Sequence, residues 1–340
     1  MSASTVSRRI GSSTFPAIGF GAMGIGGRTY GKFVSSDNEP RFKVLDRLLE
    51  LGCTHWDTAN VYGDSEELIG NWFRRTGKRD KIFLATKFGI DFSESGPRAN
   101  GTPEYVKQCF EDSIKKLGVD TVDLYYVHRI DPTTPIEVTM NALVEFVKAG
   151  KIRYIGLSQP SPATLRRAHK IHPIAAIQVE YSPFERSIAQ KGHLLETARE
   201  LGVAVVAYSP LGKGLLTGQI TSHSDFSETD LRRQIPRYAQ DNFPKILELV
   251  DKFKQIGNAH NATSGQIALA YLLEQGDDII PIPGSQRIEY IEENFSAGQI
   301  KLTAEEVQTL NKLVNETEMS GAQYPPALQA MLYADTPELP

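Results

Sequence analysis

The stretch from Val122 to Leu157, VDLYYVHRIDPTTPIEVTMNALVEFVKAGKIRYIGL, contains one full alternation of strand, helix and strand. Val122–His128 is a short and largely apolar run, which is typical of a parallel strand buried on both faces. Pro135–Ala149 has a helical pattern that begins at a Thr-Pro pair, and Gly150 ends it. Ile152–Leu157 is a second apolar run. The stretch therefore predicts two parallel strands joined by a helix.

The same alternation extends in both directions and predicts eight strands. They are Ala17–Phe20, Thr54–Asp57, Ile82–Lys87, Val122–His128, Ile152–Leu157, Ala175–Val179, Val203–Tyr208 and Ile279–Pro283. Further helices are predicted at Arg41–Leu51, Glu66–Thr76 and Pro103–Leu117, the last with Thr102 as N-cap. One unbroken series of βα units favours an α/β fold of the (β/α)8 TIM barrel type, with its active site at the C-terminal ends of the strands. A doubly wound open sheet is the main alternative.

The remaining segments are predicted as additions to this barrel. Ser7–Phe15 reads as an N-terminal β-hairpin that closes the barrel bottom. The extended βα loops include an insertion at about residues 212–241, and the Pro-rich tail, residues 318–340, is expected near the site. At about 150 residues per domain, 340 residues suggest about two domains. The strand series replaces that estimate with one domain spanning residues 1–340.

Composition excludes several classes of protein. Hydrophobic residues make up 40% and charged residues 23%, which is typical of a globular chain. The net charge of −4 provides no general attraction for nucleic acid or for an anionic membrane. Two cysteines without metal-ligand spacing predict neither a disulfide framework nor a metal site. We see no signal peptide and no membrane-spanning run, and we expect a soluble cytoplasmic protein whose oligomeric state stays open, a monomer being compatible with the sequence.

The segment Gly19–Gly24, GFGAMG, matches the pattern GxGxxG. A dinucleotide-binding Rossmann motif needs that run to open directly into a helix. Here a polar loop extends to Asp37, and the helical pattern begins only near Glu39. We therefore predict a flexible loop after the first strand, where glycine allows the backbone to approach a flat ligand closely.

Four polar residues follow neighbouring strands at the predicted C-terminal edge. Asp57, Lys87 and His128 end the second, third and fourth strands, and Tyr62 lies in the loop after Asp57. Adjacent strand ends converge at the top of a barrel. Taken singly, each residue type is more often a surface or salt-bridge residue, but together they indicate a site.

The residue types suit proton transfer at a carbonyl group. A nearby ammonium such as that of Lys87 favours the phenolate form of a tyrosine, and Asp57 would hold the ammonium in place. Tyr62 could then donate its proton to a substrate oxygen, while neutral His128 orients the carbonyl. A Tyr, Lys, His and Asp set without metal-ligand spacing and without a Ser or Cys nucleophile fits reversible proton transfer at a carbonyl. That reaction needs a hydride source such as a nicotinamide.

The segment Gly52–Gly63, GCTHWDTANVYG, with Glu66–Gly70, EELIG, resembles the first signature of the aldo-keto reductase superfamily. ATKFG at 85–89, YYVHR at 125–129 and GKIRYIGLS at 150–158 are most similar to its fungal and plant branch of perakine reductase-like enzymes. The likeness extends from Gly19 to Asn294. It implies an NADPH-dependent carbonyl reductase with the tetrad Asp57, Tyr62, Lys87 and His128, in which Tyr62 is the general acid.

The resemblance also implies how NADPH/NADP+ would be bound. At the nicotinamide end it points to Ser158, Gln159, Gln178 and Tyr208, although the family often has Asn in place of Gln159. The pyrophosphate loop would be formed by Ser209, Leu211, Gly212 and Lys213. The adenosine end would involve Gly284, Ser285, Arg287, Glu293 and Asn294. Many members have a lysine at the position of Gly284 and an arginine at that of Tyr290, so the preference for NADP rests on Ser285 and Arg287, whose hydroxyl and guanidinium suit a 2′-phosphate.

The substrate would lie among loop residues. The candidates are Met23, Tyr30, Phe88 and Arg129, with Tyr324 of the tail, and each is equally compatible with ordinary loop packing. The aromatic side chains suggest an apolar or aromatic aldehyde or ketone. Arg129 would attract an anionic group or pair with Asp131.

The function predicted is NADPH-dependent reduction of aldehydes or ketones to alcohols. A pyridoxal reductase or a sugar-type dehydrogenase is an alternative. A non-catalytic NADPH-binding sensor or interaction subunit is another, because potassium-channel β subunits share the fold and the tetrad.

Overall fold

Strands and helices alternate along the computed structural model, which describes residues 6–30, 32–33, 37–93, 96–317 and 319–339. The strands are β1 (Ser7–Ile10), β2 (Ser13–Pro16), β3 (Phe20–Gly21), β4 (Arg28–Thr29), β5 (Lys32–Phe33), β6 (His55–Asp57), β7 (Phe83–Phe88), β8 (Ile90–Ser93), β9 (Gly96–Ala99), β10 (Val122–Val127), β11 (Ile152–Ser158), β12 (Ile174–Glu180), β13 (Ala204–Tyr208) and β14 (Ile279–Pro281). The α-helices are α1 (Asn38–Glu50), α2 (Ser65–Thr76), α3 (Pro103–Leu117), α4 (Ile136–Lys148), α5 (Pro162–Ile171), α6 (Leu194–Glu200), α7 (Phe243–His260), α8 (Ser264–Leu273), α9 (Ile288–Ser296), α10 (Ala304–Glu316) and α11 (Pro326–Gln329).

Eight parallel strands form the central sheet, in the order β3, β6, β7, β10, β11, β12, β13 and β14. The two outer strands meet, because Gly19 N–H donates to Pro281 O at 2.9 Å and Gly21 N–H donates to Pro283 O at 3.4 Å. The strand order follows the chain without the reversal of a doubly wound sheet. The predicted (β/α)8 barrel is confirmed.

Several boundaries differ from the prediction for local reasons. The first barrel strand is only Phe20–Gly21, since Ala17 N–H donates to Val6 O at 2.8 Å and ties the start of that run to the hairpin. Helix α1 begins before Arg41, where the Asp37 carboxylate accepts from Glu39 N–H and caps it. Helix α3 has the predicted bounds, but the Thr102 hydroxyl makes no capping hydrogen bond.

The glycine run at 19–24 does not open into an α-helix. A short 3-10 helix, Ala22–Ile25, and the β4–β5 hairpin follow it, and α1 starts only at Asn38. The prediction of a βα loop at this position is confirmed.

Two apolar layers hold the barrel together. The larger layer lies between the sheet and the surrounding helices. The smaller one fills the barrel interior, with Phe83, Leu124, Tyr126 and Val206 among its members. The hairpin β1–β2, predicted from the sequence, closes its lower end by burying Phe15 there. The bottom of the barrel is therefore an apolar plug.

The insertion and the tail contain little regular structure. Residues 212–241 consist mainly of short 3-10 helices, and the tail carries α11. The tail is anchored where Ile136 N–H donates to Thr336 Oγ1 at 3.1 Å and Arg167 Nη1 donates to Thr336 O at 2.8 Å. Glu318 and Pro340, the two ends of the predicted tail, lie outside the described residues. The single-domain organisation over residues 1–340 stays a prediction.

Within the described part of the chain, no helix combines the length and the apolar character that crossing a membrane requires.

Candidate active site

The four residues of the predicted tetrad lie together at the top of the barrel. Lys87, at the end of β7, donates through Nζ to Asp57 Oδ1, to Thr58 O at 2.7 Å and to Tyr62 Oη at 3.5 Å. The Lys87 ammonium also lies 4.7 Å from the centre of the Tyr62 ring. The side chain of His128 meets Tyr62 edge to face, with 5.6 Å between the ring centres.

Burial and pairing act against each other on the central ion pair. Lys87 is fully buried. Desolvation opposes its charge, but the Asp57 carboxylate and the Tyr62 hydroxyl outweigh that effect and raise the pKa of Lys87. Burial raises the pKa of Asp57, while hydrogen bonds from Lys87 and from Gln178 Nε2, at 2.7 Å, oppose the rise. The site therefore holds a positive ammonium directly beside the Tyr62 hydroxyl.

His128 is electrically neutral at this site. Burial, helped by the charges of Lys87 and Arg129, holds the pKa of His128 well below its usual range. Its backbone N–H donates to Phe88 O at 2.6 Å, which fixes the residue at the end of β10. A neutral imidazole can donate one hydrogen bond to a carbonyl oxygen without carrying a charge.

The residues predicted for the nicotinamide end lie at the C-terminal ends of β11, β12 and β13. Ser158, Gln159 and Gln178 are buried, and Gln159 N–H donates to Gln178 O at 2.9 Å. The Tyr208 hydroxyl donates to Gln159 Oε1 at 2.7 Å. Gln159 adopts a φ of 45° in the left-handed region that non-glycine residues rarely use. Amide and hydroxyl groups therefore lie next to the tetrad, where they could bind a carboxamide.

The tail packs on these same residues. The Tyr324 and Tyr208 hydroxyl groups lie 3.1 Å apart. Gln159 Nε2 donates to the Tyr333 hydroxyl at 3.3 Å, and Tyr333 N–H donates to Gln159 O at 2.9 Å. Tyr324 is one of the predicted substrate residues. Tyr333 was not predicted, because only its aromatic character distinguishes it in a tail without periodicity.

The loop after β13 contains four residues in the left-handed region of the backbone. Ser209, Gly212, Lys213 and Gly214 have φ values of 49°, 57°, 54° and 98°. A Cβ on Gly212 would lie 2.5 Å from the Phe184 ring, so that position requires glycine. Leu211, also predicted for this loop, is half-buried.

Lys213, predicted for the pyrophosphate loop, forms an ion pair within the protein. Its Nζ is buried and lies 2.5 Å from Glu180 Oε1. The ammonium also lies 4.7 Å from the centre of the Tyr324 ring. Glu180 neutralises Lys213, and that partner sits on another strand, where no local pattern reveals it.

The adenosine-end residues lie after β14. Ser285 Oγ accepts from Arg287 N–H at 3.1 Å, and the Arg287 side chain is 63% exposed, with Glu289 3.6 Å away. Gly284 packs so closely on Gly21 that a Cβ on Gly284 would lie 2.4 Å from Gly21 O.

The predicted adenine residues form the inner wall of this end. Asn294 is buried, and Glu293 Oε1 accepts from Thr263 Oγ1 at 2.6 Å. A Cβ on Gly265 would lie 3.6 Å from Glu293 Oε1 and 3.7 Å from Leu211 Cδ2. The loop after β13 and helix α9 therefore approach each other at Gly265. The exposed guanidinium of Arg287 and the hydroxyl of Ser285 fit a phosphate-bearing dinucleotide.

The substrate candidates divide into two groups. Met23 and Tyr30 are half-buried in the loop after β3, and the Arg232 guanidinium lies 4.8 Å from the centre of the Tyr30 ring. Burial raises the pKa of Tyr30 to about 12. Phe88, in contrast, does not line the barrel mouth: it is fully buried on the helix side of the sheet and stacks on Tyr125, with 5.2 Å between ring centres.

Arg129 is half-buried directly after His128. Its Nη1 donates to His128 O at 2.8 Å and to Ser158 Oγ at 3.3 Å. The predicted alternative, a salt bridge to Asp131, does not form, because Asp131 binds Gly101, Thr133 and Thr134 instead. Arg129 thus stands between the tetrad and the predicted nicotinamide residues.

Among the described residues, no group of three or more His, Cys, Asp or Glu side chains is arranged to hold a metal ion.

A barrel with a Lys-Asp pair beside a tyrosine and a neutral histidine defines a class of oxidoreductase, and comparison with known proteins agrees. Residues 17–315 match the model of the aldo/keto reductase family. The chain is 55% identical to aldo-keto reductase str7 of Strobilurus tenacellus and 47% identical to aldo-keto reductase yakc [NADP(+)] of Schizosaccharomyces pombe, with 98% of each chain covered in both cases.

A solved structure gives the same result. The glycerol dehydrogenase AKR11B4 from Gluconobacter oxydans superposes with a TM-score of 0.84 at 27% identity, covering 94% of this chain and 98% of that one. The chain belongs to the aldo/keto reductase family and is an enzyme of that class.

Proposed function

We propose that this enzyme reduces the carbonyl group of small aldehydes or ketones to an alcohol, and catalyses the reverse oxidation, with NADPH/NADP+ as cofactor. The observation that carries the proposal is the Lys87 ammonium, which contacts both the Asp57 carboxylate and the Tyr62 hydroxyl. Tyr62 is only half-buried, so its hydroxyl is open to a ligand while its activating partner is shielded from water.

The chain's own residues would handle the proton. When bound, the cofactor supplies and accepts the hydride. Tyr62 Oη–H donates its proton to the carbonyl oxygen as negative charge develops there. The Lys87 ammonium stabilises the phenolate that remains, and Asp57 with Thr58 O keeps the ammonium in position. Neutral His128 donates a hydrogen bond to the same oxygen and orients the carbonyl.

The preference for NADP over NAD rests on the end of the site after β14. Ser285 and Arg287 present a hydroxyl and a guanidinium two residues apart, and a guanidinium binds phosphate through paired hydrogen bonds. The name of the Schizosaccharomyces pombe relative carries the same cofactor, NADP(+). Ser158, Gln159, Gln178 and Tyr208 would hold the nicotinamide end, and Glu293 and Asn294 the adenine.

Turnover with a carbonyl panel tests the function. The purified enzyme is incubated with NADPH and with aromatic and aliphatic aldehydes, ketones, pyridoxal and aldoses. The decrease in the near-ultraviolet absorbance of NADPH is recorded. We expect consumption with at least one aldehyde or ketone class, and faster with NADPH than with NADH. Tight NADPH binding without turnover of any carbonyl would instead favour a sensor or interaction subunit. Turnover confined to pyridoxal or to sugars would select one of the other enzyme alternatives.

The cofactor assignment is tested by Arg287→Ala. We expect the Kd for NADPH to rise roughly 10- to 100-fold, the size of a lost hydrogen bond to a charged group. The Kd for NADH, which lacks the 2′-phosphate, should change by less than about threefold, within the range of a neutral surface substitution. Fluorescence titration measures both. An equal rise for the two cofactors would remove Arg287 from the phosphate site.

A further inference from the structure

Arg129 is a cation beside the candidate active site that forms no ion pair among the residues that the structure describes. Its guanidinium donates to the His128 carbonyl oxygen at 2.8 Å and to the Ser158 hydroxyl at 3.3 Å, both of which are uncharged. In the described part of the chain, no carboxylate oxygen lies within 4.0 Å of it. The side chain is half-buried, so water solvates the charge only in part.

The carboxylates that could have paired with Arg129 are occupied elsewhere. Asp131 Oδ1 accepts from Thr133 N–H at 2.8 Å and from its hydroxyl at 2.6 Å. Asp131 Oδ2 accepts from Gly101 N–H at 2.9 Å and from Thr134 Oγ1 at 2.8 Å. Glu180 is bound to Lys213. Neither of these two carboxylates is therefore the counter-ion of Arg129.

The guanidinium lies at the top of the barrel, between the tetrad residue His128 and the predicted nicotinamide residue Ser158, to both of which it donates a hydrogen bond. Its charge acts on three groups at the barrel top, since it favours neutral His128 and opposes the burial-driven rise in the pKa of Tyr208 and of Tyr324. His128 directly follows β10, Tyr208 ends β13 and Tyr324 lies in the tail, so the charge of Arg129 acts on groups from both sides of the barrel mouth.

The cofactor's phosphates are expected at a different part of the ring. The pyrophosphate loop follows β13 and the 2′-phosphate residues follow β14, whereas Arg129 follows β10, with β11 and β12 in between. Its neighbour Ser158 would contact the uncharged carboxamide. A ligand anion at Arg129 would consequently come from the substrate.

We propose that Arg129 binds a carboxylate on the carbonyl substrate, so that the preferred substrates are aldehydes or ketones that also carry an acid group. The planar guanidinium can form paired hydrogen bonds to a carboxylate and would orient the substrate relative to Tyr62. This inference rests on the proposed carbonyl reduction and names the class of its substrate.

The test uses matched benzaldehydes and two arginine variants. Initial rates are measured for 2-, 3- and 4-carboxybenzaldehyde and for the corresponding nitrobenzaldehydes, which have nearly the same shape and no charge. The variants are Arg129→Gln and, as a matched control, Arg153→Gln. Arg153 lies near the start of β11 at the opposite end of the barrel, with its side chain 53% exposed. Titration with NADPH checks that each variant is folded and binds the cofactor.

We expect the wild-type enzyme to prefer at least one carboxylated member over its nitro partner in kcat/KM. Arg129→Gln should lower the ratio of the two kcat/KM values roughly 10- to 100-fold, mainly through KM, as for a lost hydrogen bond to a charged group. Arg153→Gln should leave the ratio unchanged.

Two results would overturn the proposal: no preference for any carboxylate in the wild type, or an unchanged ratio in Arg129→Gln. A rise in the Kd for NADPH without a change in the ratio would assign Arg129 to the cofactor instead. Absence of turnover both with these benzaldehydes and with the wider carbonyl panel would contradict the proposed carbonyl reduction itself. Turnover of the wider panel without any preference for a carboxylated substrate would contradict only the substrate class.

Discussion

The two ends of the barrel interior accommodate a buried ionisable side chain in opposite ways, although they are built on the same strands. His55 and Asp57 lie two residues apart on β6 and are both buried. At the bottom, His55 is surrounded by rings, with its ring centre 4.8 Å from that of Phe15 and 5.4 Å from that of Phe83. At the top, Asp57 binds Lys87 and Gln178.

The difference shows what each end requires. Burial lowers the pKa of His55 to about 3, so it stays neutral and its apolar surroundings need no counter-ion. Asp57 and Lys87 stay buried because each satisfies the other, which gives up stability that apolar packing would provide. We expect such a buried ion pair only at the upper end of the barrel, because the upper end contains the active site and the lower end stabilises the fold.

The largest expected effect comes from breaking the ion pair at the top. Lys87→Met leaves the buried Asp57 carboxylate without its partner, and we expect a loss of about 3–5 kcal/mol in the free energy of unfolding together with loss of carbonyl reduction. Urea unfolding and NADPH consumption measure the two effects. The double variant Asp57→Asn/Lys87→Met should recover much of the stability and none of the activity. Equal instability in the single and double variants would contradict the account of the pair.

Removing a ring at the bottom should cost stability without affecting the site. We expect Phe15→Ala to lower the free energy of unfolding by about 3–5 kcal/mol through loss of buried apolar contacts. The Kd for NADPH should stay the same. Arg9→Ala, an exposed position on the same hairpin, is the control and should change stability by no more than about 0.5 kcal/mol. A weakened affinity for NADPH in the folded Phe15→Ala enzyme would show that the two ends are coupled.

The smallest expected effect is a change in pH dependence. An unfolded histidine binds a proton below pH about 6.5, whereas His55 with a folded pKa of about 3 does not. Its contribution to stability is therefore present above pH about 6.5 and decreases as the pH falls, by up to about 1.4 kcal/mol per unit.

His55→Leu removes this contribution. We expect the free energy of unfolding of the variant to fall less steeply between pH 6.5 and 4.5 than that of the wild type, as measured by urea titrations at several pH values. Parallel curves for the two proteins would mean that His55 binds its proton in the folded state.

The fold could be predicted from the sequence more completely than the cofactor site. Eight apolar runs predict the barrel because each run can be recognised locally. The strand ends then place Asp57, Lys87 and His128 side by side. The misplacement of Phe88 was avoidable, since side chains alternate along a strand and an inward Lys87 directs Phe88 outward. Phe83 and Ala85 do share the interior with Lys87, as that alternation predicts.

The pairings between distant segments could not be predicted in the same way. The neutralisation of Lys213 by Glu180 joins the loop after β13 to the end of β12, a contact that depends on the pairing of these two strands. The contact of Tyr333 with Gln159 depends on the path of a tail without periodicity. The choice between a substrate anion and Asp131 as partner of Arg129 was open in the sequence, because it depends on backbone N–H groups that bind Asp131.

The role of Tyr62 as proton donor is tested most directly by comparing the wild type with Tyr62→Phe in single-turnover reduction of an aldehyde that the wild type accepts. Removing one hydroxyl leaves the Asp57–Lys87 pair and the predicted cofactor residues in place. We predict that the rate of hydride transfer falls by about 10²- to 10⁴-fold, the usual contribution of a general acid, while the Kd for NADPH stays the same. A Tyr62→Phe enzyme that retains more than about a tenth of the wild-type rate would contradict this role, because such a loss is below that of an essential proton donor.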